Sequence, residues 1–116
     1  MTVLTQRFVL QGVHVLFDPV HIEPKHGHEY TLQVSVEAKV GVELLLQTVQ
    51  ELIVKPWDKK DWSKMGLLQA TGELLVEKFD EILRHSGIGA LLVAVVLKET
   101  RKNRFVSAKS LLLYCE

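Results

Sequence analysis

Between His28 and Lys39 the residues alternate apolar and polar without a break, and after Gly41 the apolar period lengthens to that of a helix. Alternation at period two is the signature of a strand: Tyr30, Leu32, Val34, Val36 and Ala38 take one face, and Thr31, Gln33, Ser35, Glu37 and Lys39 the other. The pattern predicts one buried and one wetter face. Beyond Gly41, Val42, Leu45, Leu46, Val49, Leu52 and Ile53 fall at helical intervals and stop just before Pro56, so an amphipathic helix is expected there.

The rest of the chain reads in the same terms. Thr5 to Phe17, rich in β-branched and aromatic residues, predicts a first strand. A second amphipathic helix runs from Thr71, a suitable N-cap, through Leu75, Phe79, Ile82 and Leu83 to His85, with Gly87 just beyond. Between the helices, 55–68 is polar and irregular and too long for a simple turn. Ala90 to Glu99 is nearly continuous in apolar residues, and Arg104 to Tyr114 follows across the polar turn 100–103, which predicts a β-hairpin. The order is strand, strand, helix, helix, strand, strand. It predicts an α+β fold: one domain over 1–116, with a four-stranded antiparallel sheet and two helices on one face. Such a sheet has two edges to protect, and self-association is one common solution.

Lysine plus arginine equals aspartate plus glutamate, so the formal net charge is zero, and no nucleic-acid or membrane partner is expected. The one cysteine, Cys115, cannot form an internal disulfide and is read as a strand-end thiol. No apolar run approaches the roughly eighteen residues that span a bilayer, and no basic and apolar leader pattern opens the chain. A soluble, cytoplasmic protein is the expectation.

Four of the five histidines fall between residues 14 and 28, two of them in His26-Gly27-His28 at the mouth of the second strand. Residues two apart on a strand project to the same face, so both imidazoles can reach one ion. His14 lies on the neighbouring strand, where antiparallel pairing can bring it opposite. Three histidines and one free position make an open zinc site that polarises an oxygen or activates a bound hydroxyl. A loop with solvated histidines is the alternative for a His-x-His taken alone.

Phe8 to His14, followed by His26-Gly27-His28-Glu29-Tyr30, resembles the phenylalanine-to-histidine strand and the His-Gly-His-Asn-Tyr motif of the 6-pyruvoyl- and 6-carboxy-tetrahydropterin synthase family. Thr71-Gly72-Glu73 resembles the family's Thr-x-Glu at the second helix, and Lys98-Glu99-Thr100 its glutamate-threonine at the end of the third strand. The resemblance implies the tunnelling fold, in which trimers close their sheets into a barrel and pair as a homo-hexamer, a dimer of trimers with pterin pockets between subunits. It implies zinc on His14, His26 and His28, and a substrate such as dihydroneopterin triphosphate or a related pterin. It places Glu99 as the anchor of the pterin ring and Thr71 beside the substrate. A carboxylate accepting two parallel hydrogen bonds from an amino-pyrimidine edge is a specific clamp.

The chain also departs from the family pattern. Ile22 stands where the usual synthases carry their cysteine base, while Glu23-Pro24-Lys25-His26-Gly27-His28 is similar to the glutamate-x-x-His-Gly-His signature of a subgroup that releases 6-hydroxymethyl-dihydropterin. Glu23 then takes the role of base; an exposed loop carboxylate is the alternative. Asp58-Lys59 is the counterpart of the family's second proton-transfer element, an aspartate-histidine pair; the resemblance implies a catalytic role for Asp58, with Lys59 in place of the histidine that the aspartate would orient. The Asp-Phe of the first helix is absent, with Leu44 and Leu45 in its neighbourhood. His21 is a further candidate acid or base, and His85 is expected to interact with the helix dipole. Two functions follow from this pattern, a zinc lyase acting on a reduced pterin, or a metal- and pterin-binding relative that has lost its proton relay.

Overall fold

The structure, a computed structural model, describes residues 2–14, 26–62, 72–99 and 103–110; the side chains at 13–14 and 26–28 lie outside that description. Strand β1 (Val3–His14) pairs antiparallel with β2 (His26–Glu37), β2 with β4 (Leu92–Glu99), and β4 with β5 (Asn103–Val106). Outside β1 lies a short parallel strand, β3 (Lys60–Asp61), so the order is β3-β1-β2-β4-β5. The α+β class stands, but the sheet is five-stranded and mixed where four antiparallel strands were expected. The extra strand carries no apolar alternation because backbone pairing to the β1 edge, not side-chain burial, creates it.

On one face Phe8, Leu10, Tyr30, Leu32, Val34, Val36, Val95 and Leu97 are buried in a single core with the apolar stripes of the helices. The other face stays exposed along β1, at Thr5, Arg7 and Val9, but is covered in the middle of β2. Gln33 and Ser35 are only 9% and 3% exposed, and the Ser35 hydroxyl is paired with that of Thr5 at 2.7 Å. Ala38, predicted to extend β2 inward, instead opens a 3-10 turn (Ala38–Val40) and is exposed.

The first helix does not stop before Pro56. Helix α1 (Val42–Val49) continues through a π turn (Gln50–Val54) into α2 (Lys55–Trp57). The buried residues explain the wider turn: Leu45, Val49, Ile53 and Trp57 recur every fourth position. In a regular helix such a spacing turns away by roughly 40° per step. One widened turn brings Trp57 back over the core, where its ring meets Phe79 edge-on at 5.2 Å. The regular ladder is already interrupted there, so Pro56 is accommodated.

Helix α3 (Gly72–Arg84) buries Leu75, Val76, Phe79 and Leu83 along one stripe. Its expected N-cap, Thr71, lies outside the described residues. Gly87, beyond its other end, does not have the left-handed backbone of a helix-ending glycine. Ser86 donates its hydroxyl to the Leu83 carbonyl at 2.6 Å, and Gly89 passes so close to the Arg84 carbonyl that a Cβ would sit 1.9 Å away. His85 is exposed at this end.

The final strand is shorter than predicted. β5 ends at Val106, and residues 108–110 are helical. The cause is a buried polar cluster: Asp80, 3% exposed, pairs with Arg84 at 2.9 Å and accepts the Ser107 hydroxyl at 2.6 Å, while Ser110 accepts the Val95 amide at 2.8 Å. These bonds turn the chain off the sheet at Ser107; Cys115 and Tyr114 lie outside the described residues. Among the described residues no helix is long and apolar enough to cross a membrane.

Candidate functional site

The β1–β2 register decides which sequence-predicted residues meet. His14 stands directly opposite His26, and His28 opposite Gly12. Opposed residues on paired strands share a face, as do residues two apart. The three histidine positions therefore continue the row that includes Leu10 opposite Tyr30 and Phe8 opposite Leu32. Along this helix-side face, apolar positions give way to histidine positions at one end of the sheet. Glu23 and His21 lie outside the described residues. No three His, Cys, Asp or Glu side chains come together among the described residues, which do not include these imidazoles.

Glu99 enters the same row from the other side. It stands opposite Tyr30 on β2, two residues along that strand from His28, about 7 Å at the usual strand rise. Glu99 is partly buried, at the end of β4. Tyr30 is buried, and this burial first, then the charge of Glu99, pushes its phenol above the ordinary tyrosine range. The carboxylate and the phenol thus belong to one neighbourhood beside the histidine positions.

Asp58 and Lys59 lie against the outer edge of β1. The Asp58 carboxylate accepts the backbone N–H of Gln11 at 2.8 Å, and the backbone N–H of Lys59 donates to the carbonyl of the same residue. Lys59 is exposed and carries a left-handed backbone, φ 57°.

Two residues absent from the sequence-based site border it. Trp62 is fully buried, its ring centroid 5.3 Å from that of Tyr30, and a Cβ on Gly12 would fall 2.1 Å from its indole. Its indole N–H donates to the Trp57 carbonyl at 2.6 Å. Tyr30 was within reach of sequence reasoning, since it follows His28 by two and so shares its face; Trp62, set among charged residues, offered no such signal.

No family model matches the chain, and no curated protein does. Among solved structures, it is similar to Caenorhabditis elegans 6-pyruvoyl tetrahydropterin synthase, with a TM-score of 0.68 at 19% identity, over 91% of this chain and 95% of that one. At that identity the likeness is one of fold.

Proposed function

We propose that this chain is a zinc-dependent lyase of the 6-pyruvoyl-tetrahydropterin synthase type, acting on dihydroneopterin triphosphate or a related pterin and releasing 6-hydroxymethyl-dihydropterin. The observation that carries the reading is the strand register, which pairs His14 with His26 and sets His28 two residues along the same row, with Glu99 across from Tyr30. Three neutral imidazoles with an open position are a donor set that suits zinc. When bound, zinc would supply Lewis-acid polarisation of a substrate oxygen.

The remaining work falls to the protein's own groups. Glu99 anchors the amino-pyrimidine edge through two parallel hydrogen bonds, and Thr71 contributes to the same binding. Glu23, three residues before His26, removes the proton of the hydroxyl on the second side-chain carbon; the bond between the first and second carbons breaks, the second carbon leaves as the aldehyde of the phosphorylated fragment, and the proton returns to the first carbon. The fold likeness to a pterin synthase supports the substrate class. We further propose a homo-hexamer, a dimer of trimers, with its pockets between subunits.

A second reading, a metal- and pterin-binding relative without turnover, is favoured by the Asp58 carboxylate bonding to the Gln11 amide with lysine as its chain neighbour. One experiment separates the two. Zinc-loaded protein is incubated with dihydroneopterin triphosphate and the products are resolved by chromatography. A hydroxymethyl-pterin product supports the enzyme; pterin bound and recovered unchanged supports the binding protein.

A further inference from the structure

Gln11 offers an amide and a carbonyl along the outer edge of β1, and the turn at Asp58 and Lys59 takes up both. At this turn Lys59 carries a left-handed backbone, φ 57°, a conformation unfavourable for an L-residue. From this double contact the chain runs directly into β3, with Lys60 beside Gly12 and Asp61 beside Val13. Trp62 follows, lying over Gly12 and against Tyr30. Gly12 stands opposite His28. The segment 58–62 therefore ties the β1 edge to the indole that borders the histidine end of the face.

We propose that Asp58 is a positioning residue, a latch that seats Trp62 beside the histidine positions through its bond to the Gln11 amide, and not a carrier of protons. What occupies that end of the sheet rests on the function proposed above; the latch rests on the bonds. An amide N–H does not titrate in the working range, and the bond asks of Asp58 only an acceptor oxygen. Asparagine supplies that oxygen at the same place, whereas it cannot serve as a base. Gly12 and Trp62 supply the mechanical link, since the indole occupies the space where a side chain at position 12 would stand.

The test compares Asp58→Asn and Asp58→Ala in the full chain, reading backbone hydrogen exchange by NMR and turnover of dihydroneopterin triphosphate. The latch predicts that Asp58→Ala speeds exchange at the Gln11 amide by about tenfold or more and lowers turnover, while Asp58→Asn stays within about threefold of the wild type on both. Unchanged Gln11 exchange in Asp58→Ala would overturn the proposal. So would a fall of about a hundredfold in the turnover of Asp58→Asn with its Gln11 amide still protected, the mark of a lost proton carrier. If Asp58→Ala does not fold, Asp58→Asn decides alone, since the two roles predict opposite results for it. If the wild type neither binds zinc nor turns over pterin, the proposed function fails, and Gln11 exchange alone judges the latch.

Discussion

Glu99 and Tyr30 face each other across the β2–β4 pairing. The carboxylate helps to keep the buried phenol protonated, and the strand end holds the carboxylate beside the histidine row. In the proposed reaction Glu99 clamps the pterin ring. Glu99→Gln is expected to weaken binding of neopterin by about tenfold or more by calorimetry, because a charge-assisted bidentate contact is lost, with zinc content unchanged. The same substitution removes a charge that raises the Tyr30 pKa, so ultraviolet titration should show that phenol ionising at lower pH than in the wild type. Equal pterin affinity in the two proteins would return Glu99 to a solvated strand end.

Among the elements, β1 shows how far local pattern reaches. Its pairing with β2, the apolar row of β2 and the stripe of α3 were legible because burial itself imposes periods of two and of about 3.6. Three features were not. The two residues of β3 are held by backbone bonds, the helix passes Pro56 through a widened turn, and β5 is cut short by the Asp80–Ser107 cluster. Each depends on a partner distant in sequence, which no local window contains. Gly12 has the same character: it reads as a plain strand glycine, but the Trp62 indole fills the space beside it. Gly12→Ala is expected to destabilise the protein by about 1–3 kcal/mol in urea unfolding, since a methyl group must displace a buried ring. Gly87→Ala, with open space around it, is the control; equal stability of the two variants would show that the indole is not held there.

For the molecule as a whole, the candidate site divides along the same line. The shared row of the three histidine positions was legible from spacing, since a His-x-His pair and a histidine on the adjoining strand need only an antiparallel register to fall on one face. Trp62 and the Asp58 latch were not, because they reach the site through a polar segment with no periodicity. Among the described residues, β3 borders β1 only at Gly12 and Val13, so Val3 to Leu10 present an edge available to another copy. Light scattering is expected to give the mass of a hexamer at micromolar concentration; a stable monomer would reject the interfacial pockets. Elemental analysis of purified protein tests the proposed zinc site on His14, His26 and His28. About one zinc per chain is expected in the wild type and none in the His26→Ala, His28→Ala double variant. Full zinc occupancy in that variant would contradict the assignment.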